Sequence, residues 1–548
     1  MDSEPSPLIW TQDDFQFETE PYAYHRVALE PLPHARVLHE NTDLLRALPA
    51  LAKASTEYRH ALYRGERCVE GVDAALATVY AGHQFGYFNP QLGDGRAALI
   101  GGESAIDVCE FFPHPFQHLV MDFISRYLEQ GRQDLAFHHF DLFQKKTNVE
   151  YQLKGSGQTP YSRMGDGKAV LRSSVREYLA SEALFRLGIP STRALALVHD
   201  PDTPVWREFC ESAAMVLRVA PSFLRFGHLE YWGRQGQTAR LRPYIETCFQ
   251  AFFTESVTPV SLAQKTQAVL SITAILNAVT VAQWQAVGFC HGVMNSDNSS
   301  LWGLTLDYGP YGFLDTFDMG HICNHSDEQG RYRYQNQPAV ALWNLKRLVE
   351  ACSALVGEAE IQPLQEQIEA LFQDAFNTSF LTLYRQKLGL EDRRLVPDIE
   401  LGNVLKSLFS FLHQNQIDYT RFFYALPQWA EAYTQQNHSQ MTTIETQVMK
   451  LPSTLNAHWL RDIYAPCLQR GPQPRQDVKP FQTPPNPSMV LRNYIAQDFI
   501  EEAEAFHLDA LAEGFKRLQD PFSTEHETDP WFQPPPQSAR SIAVSCSS

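Results

Sequence analysis

Residues 291–309 read HGVMNSDNSSLWGLTLDYG, and their spacing is that of a protein-kinase catalytic loop running into a metal-binding Asp-x-Gly. Laid over H-R-D-L-x-x-x-N, His291 takes the His and Asn298 the Asn, and Asp307-Tyr308-Gly309 falls on D-F-G. The place of the kinase base is held by Val293, whose aliphatic side chain cannot accept a proton from a hydroxyl. Asn298 and Asp307 are oxygen ligands of the kind that suit Mg2+ or Mn2+ with substrate phosphates; two Asx residues in turns is the competing reading. The nearest spare carboxylate is Asp297. The chain is therefore either inactive or does different chemistry on a nucleotide.

Upstream of this loop, the apolar run from about Ala268 to Cys290 is broken by Ser271, Thr273, Asn277, Gln283 and Gln285, which predicts a buried helix and not a membrane span. Residues from about 260 to 450 carry helical periods. Earlier segments carry strand signals: VEYQL at 149–153 alternates and delivers Lys154. Ser173–Leu187 has the apolar stripe of a helix, closed by Gly188 and Pro190. Lys154 on a strand and Glu177 on the next helix match the kinase ion pair that fixes the α and β phosphates. Glu177 also closes a capping box with Ser174, which is its bland reading. Arg218 and Arg225 flank a Pro-Ser turn and suit either a phosphate or ordinary ion pairing. Gly93-Asp94-Gly95-Arg96 suits either a phosphate-cradling loop or a hairpin turn. The order is β-rich first and α-rich second, an α+β, bilobal protein-kinase-like fold with N- and C-terminal extensions.

The 548 residues carry 45 basic and 63 acidic side chains, a formal net charge of −18. Such a surface repels nucleic-acid backbones and anionic membranes, so neither is expected as a partner. The N-terminus has no signal or transit pattern. Nine scattered cysteines, none in a Cys-x-x-Cys pair, fit a reducing cytoplasm better than a disulfide scaffold. Cys546, third from the end, sits on a tail expected to be mobile and is the one thiol with a redox reading. His114, His118, His138 and His139 lack the companions of a metal site and read as surface histidines.

The motifs YAGHQFG (80–86), QLGDGRA (91–97), QLKGSGQTPYSRMGDGKAVLRSSVREYLASEAL (152–184), LRVAPSFLRFGH (217–228), HGVMNSDNSSLWGLTLDYGPYGFLD (291–315), ICNHSDEQGRY (322–332) and the terminal SCSS resemble the selenoprotein O (SelO, or YdiU) family over most of the chain. The resemblance implies a pseudokinase-like protein adenylyltransferase that binds ATP with Mg2+ or Mn2+ and moves AMP, not the γ-phosphoryl group, to hydroxyl side chains of proteins, with self-modification open to it. It implies nucleotide contacts from Gly93, Gly95, Arg96, Lys154, Asp166, Gly167, Arg218, Arg225 and Asp307, with Glu177 as the partner of Lys154. It implies Asp297 as proton acceptor and Asn298 and Asp307 as metal ligands. Cys546 falls where some members carry selenocysteine, and a bridge to Cys323 would tie the tail to the site. A γ-phosphoryl kinase and an inactive nucleotide-binding scaffold are the alternatives.

The expected organisation is an N-terminal extension at 1–78, a kinase-like N-lobe at 79–220, a helical C-lobe at 221–470, and a Pro-rich linker, short helix and Cys-bearing tail at 471–548. The family's connection between Arg96 and Lys154 is shorter, which implies an insert at about 103–148 beside the nucleotide loop.

Overall fold

A computed structural model describes residues 24–131, 135–254, 260–451, 458–470, 486–525 and 529–537, with Ala539, Ile542 and Val544 beyond them. Nine strands form one antiparallel sheet: β1 (Tyr24–Val27), β2 (Arg36–Glu40), β3 (Ala75–Gln84), β4 (Tyr87–Gly93), β5 (Ala97–Asp107), β6 (Lys146–Lys154), β7 (Ala169–Val170), β8 (Arg193–Trp206) and β9 (Cys210–Ala220). Their order is β1-β3-β5-β6-β9-β8-β2, with β4 added to β3 and β7 to β9. A small pair, β10 (Phe289–Cys290) with β11 (Gly312–Phe313), lies in the helical half. The fold is therefore α+β, with a large antiparallel sheet followed by helices. Within the span expected as an N-terminal extension, β1 and β2 join the two ends of the sheet.

The register of the sheet positions the site. Gln152 of β6 lies opposite Arg218 of β9 and Lys154 opposite Val216. Side chains alternate across a strand, so Gln152, Lys154 and Arg218 share one face. Val149, Tyr151 and Leu153 point the other way and are fully buried in the core. The helix Leu171–Arg186 follows, with Leu187 as its C-cap and Gly188 at φ +87. It begins two residues earlier than the periodicity predicts, and Ser174 Oγ caps nothing.

The helix Leu262–Val287 is the spine of the second half. Ser261 and Gln264 form a capping box, and Gly288 at φ +75 ends it. It is long and apolar enough to cross a membrane, but 89% of its most apolar window is buried inside the protein. Apolar all round, it packs as a core helix should. One core joins the sheet to this helix and its neighbours; a second fills the helical half around Phe411, Trp429 and Trp459.

The link from β5 to β6 carries the helix His114–Glu129. This helix packs on the helices of the second half, and the link around it contacts the same half. Phe112 stacks on Trp302, Phe140 bridges to Phe253, and Lys145 Nζ donates to the Gln250 and Phe253 carbonyls. His114, His118 and His138 are exposed. At the C-terminal end, the one short helix expected within 471–548 is two, Asn493–Glu504 and Leu508–Leu518, parted at Phe506 (φ +58). The Pro-rich residues 471–485 lie outside the described residues; Asn486 to Arg492 are buried.

Candidate active site

Five charged side chains converge where β6, β9 and the loops of the helical half meet. Lys154 Nζ donates to Glu177 Oε2 and stands 4.0 Å from Asp307 Oδ1. Arg218 Nη1 donates to Glu177 Oε1 (3.1 Å) and to Asp307 Oδ1 (2.6 Å), and its Nη2 donates to Gln152. Arg225 Nη1 donates to Asp307 Oδ2 and to the Asp297 carbonyl (2.9 Å), with its guanidinium over the Tyr80 ring. The capping-box reading of Glu177 fails: its carboxylate is fully spent on two cations.

The electrostatics follow from this packing. Burial alone would raise Asp307, but Arg225, Arg218 and Lys154 outweigh it and hold its carboxyl well below the usual range. Burial likewise opposes Glu177, and Lys154 and Arg218 prevail and lower it. Burial lowers Lys154, with Arg96 and Arg218 adding to that and Glu177 opposing it. Within the hydrogen-bonded cluster Lys154, Arg218 and Arg225 face the carboxylates of Glu177 and Asp307, with the buried Asp94 also acting on Arg225; guanidinium and ammonium donors of this kind suit an anion. Asp307 itself has φ +54, a left-handed conformation that Asp tolerates better than most residues.

The 291–298 loop is braced from inside. His291 Nε2 donates to the Leu306 carbonyl (3.0 Å) and Nδ1 accepts from Val293 N (3.3 Å), which joins this loop to the Asp307 turn. Burial lowers His291 to about 4, so the ring is neutral. Val293 is buried. Asn298 Nδ2 donates to the Val293 carbonyl (3.0 Å), leaving its oxygen for another partner. Asp297 is buried; that burial raises it to about 7 against the Gln84 hydrogen bond and Arg225, which lower it. Gln84 Nε2 donates to Oδ2 (3.1 Å), and Oδ1 has no donor among the described residues.

The glycine-rich segment packs on the 155–167 loop. A Cβ at Gly93 (φ +154) would lie 2.4 Å from the Tyr161 ring, and one at Gly95 would lie 2.9 Å from the Tyr161 carbonyl. Asp94 is not a hairpin tip: its buried carboxylate accepts from Thr78 N (2.9 Å) and Thr78 Oγ1 (2.6 Å). Arg96 lies near Lys154, and among the described residues its guanidinium has no hydrogen-bond or ion-pair partner. Among the described residues, the hydrogen bonds of Asp166 and the packing of Gly167 are with other partners than the charged cluster. Asp166 accepts from both arms of Arg207 (3.0 and 2.9 Å), and Gly167 packs on the Gly157 backbone.

Cys323 is buried, its thiol 3.3 Å from the Cys290 carbonyl and pushed well up by burial. Cys546 lies outside the described residues. The nearest described tail residue, Val544, is buried and its carbonyl accepts from His325 N (3.0 Å).

The donor types at Asn298 and Asp307 are those a hard divalent cation takes. Asn298 offers an amide oxygen and Asp307 a carboxylate with lone pairs beyond its arginine bonds. Among the described residues no three His, Cys, Asp or Glu cluster as a closed metal cage. Mg2+ characteristically takes one or two carboxylates and completes its shell with water and substrate phosphate.

Of the residues singled out in the sequence, Lys154, Glu177, Arg218, Arg225 and Asp307 come together in one cluster, the Asp297 carbonyl touches Arg225, and Asn298 bonds to the Val293 carbonyl. Sequence reasoning missed Gln152, Tyr80, Gly82 and Gln84, which support them. A glycine inside an apolar strand marks a close backbone approach, and Gly82 carried that signal. The sequence model of the family described as protein adenylyltransferase SelO matches residues 12–109 and 125–519. The break at 110–124 falls inside the β5–β6 link and is narrower than the expected insert.

Proposed function

Since the chain belongs to the protein adenylyltransferase SelO family, and so is a nucleotidyltransferase that uses ATP on protein substrates, we propose that it moves AMP to Ser, Thr or Tyr hydroxyls in a kinase-like cleft between sheet and helices. The observation that carries this reading is the pairing of a cation-rich buried cluster with a buried carboxylate at Asp297, while Val293 occupies the place of a kinase base. Lys154, Arg218 and Arg225, with the free guanidinium of Arg96, neutralise phosphate charge. Gly93 and Gly95 let their segment close on Tyr161, and in this reading that packing sets the backbone beside the polyphosphate. In this reading Asp166 and Gly167 shape the loop, and any nucleotide contact of Asp166 requires release from Arg207.

The acceptor hydroxyl oxygen bonds to the α-phosphorus. Its proton goes to Asp297, and the bond from the α-phosphorus to the bridging oxygen breaks with its electron pair leaving on pyrophosphate. Asn298 and Asp307 would hold Mg2+ or Mn2+, which supplies charge neutralisation on the phosphates. Glu177 keeps Lys154 extended toward them. The protein's part is positioning and fixed electrostatics. Mostly buried free thiols support a reducing, cytoplasmic setting. The bond from His325 N to the Val544 carbonyl brings the tail to the segment that carries Cys323; a bridge in which Cys546 and Cys323 lose two electrons and two protons to a disulfide oxidant requires the buried Cys323 thiol to be uncovered first.

Mass spectrometry of the reacted protein and of an acceptor protein tests the reading. AMP esters on Ser, Thr or Tyr support it. Phosphoryl groups in their place overturn it in favour of a kinase in which Asp297 stands in for the missing base.

A further inference from the structure

The YAGHQFG motif at 80–86 contributes only Tyr80 to the phosphate cluster, yet its end runs into the loop that carries Asp297. Three consecutive residues each meet that loop. His83 N donates to Ser296 Oγ (2.7 Å), and Gln84 Nε2 donates to Asp297 Oδ2 (3.1 Å). Phe85 N donates to Asn295 Oδ1 (3.3 Å) and to Tyr332 OH (2.8 Å), and that hydroxyl donates in turn to Asn295 Oδ1 (2.6 Å). Gly82 lies so close above Asp297 that a Cβ would stand 2.5 Å from Oδ1. The turn that follows holds Phe85 at φ +52 and Gly86 at φ +90. A left-handed aromatic residue is strained, and such strain persists where surrounding bonds over-determine it. Here the bonds to Asn295 and Tyr332 do so.

The two oxygens of Asp297 are unequal in this grip: Oδ2 is taken by the Gln84 amide, and Oδ1 is buried with no donor among the described residues. A buried acceptor without a donor is rare unless something else is meant to bind it.

We infer that Gln84 is a positioning residue for transfer, whose amide fixes Oδ2 of Asp297 and, with Gly82 closed over Oδ1, sets the orientation of the carboxylate. This rests on Asp297 being the proton acceptor. The proton of the acceptor hydroxyl goes to the Asp297 carboxylate as the oxygen–phosphorus bond forms and pyrophosphate leaves. The sheet thus orients a carboxylate that belongs to the helical half, and the motif's Gly, His, Gln and Phe are matched to the Asn-Ser-Asp they meet.

The test is Gln84→Met, which keeps length and removes the donor, with Gln84→Ala as a smaller change should Met not be accommodated. Transfer from α-labelled ATP to dephosphorylated casein and to the protein itself is measured in the wild-type and Asp297→Asn backgrounds. With Asp297 present, kcat falls about 10- to 100-fold while KM for ATP and the thermal midpoint stay unchanged. In the Asp297→Asn background the carboxylate is gone, and the same Gln84 change costs less than about twofold of the residual rate, because the two residues act as one unit. An equal loss in both backgrounds, or a raised KM with kcat intact, overturns the positioning role alone. Wild-type activity of Asp297→Asn overturns the proton-acceptor assignment itself, and the role of Gln84 with it.

Discussion

Replacing Asp307 by Asn tests the charged cluster at its centre. Asn tolerates the left-handed backbone that Asp307 adopts (φ +54), so the change removes charge and leaves the turn. Asp307 is 21% exposed at its side chain, and it pairs with Arg218 and Arg225, each 3% exposed. Breaking a buried pair costs about 3–5 kcal/mol, because the remaining charges stay buried without a partner. The partial exposure of Asp307 places the loss at the lower end, about 3 kcal/mol. The same substitution has an opposite effect on nucleotide. One carboxylate about 5 Å from a phosphate charge repels it by about 3 kcal/mol at an effective dielectric near 20. Metal-free ATP should therefore bind Asp307→Asn at least about tenfold tighter than wild type, while metal-dependent transfer is lost. Thermal unfolding and calorimetric ATP titration, with chelator and with Mg2+, read both effects. A variant that melts with the wild type, or binds metal-free ATP more weakly, would refute the reasoning.

Other perturbations follow from single distances. At Gly82→Ala the new Cβ, 2.5 Å from Asp297 Oδ1 where ordinary contact begins near 3.4 Å, must displace the carboxylate by about 0.9 Å; kcat should fall about 100-fold with ATP affinity kept, and an unchanged kcat contradicts the placement of Asp297. His228 is lowered to about 3, first by burial and then by Arg225, so the folded state binds fewer protons than the unfolded one. Its contribution is full above the unfolded value near 6.5 and is lost as pH falls toward 3, about 2 kcal/mol of it by pH 5. The difference between wild type and His228→Gln in denaturant titrations from pH 7 to 5 isolates that slope, and parallel curves would remove it. Peptide mapping without reductant after glutathione-disulfide treatment should recover Cys323 joined to Cys546; continued absence of that peptide ends the redox reading.

Much of the site was legible because its residues lie where local rules apply. Lys154 ends an alternating strand, Glu177 sits on a helix with a clear stripe and C-cap, and Asp307 follows a recognisable loop. The capping-box reading of Glu177 was equally legal locally, and only the register that places Arg218 beside Lys154 decides against it. Gln84 and Gly82 stand in a visible motif, but nothing local gives them a role, since their partners lie more than two hundred residues away. The same holds for β1 and β2: short, half-exposed strands show little periodicity and are fixed by pairing with β3 and β8. The helix break at Phe506 lacks any Gly or Pro to announce it.

The central claim is transfer of the adenylyl group, and the direct measurement is label transfer from ATP carrying label at the α- or at the γ-phosphate, with Mg2+ or Mn2+ and with Asp307→Ala as control. The account predicts covalent label on protein from α-labelled ATP alone, lost in the control. Label from γ-labelled ATP alone would make the protein a kinase and contradict the account. No label from either, with ATP bound, would contradict it in favour of a nucleotide-binding scaffold.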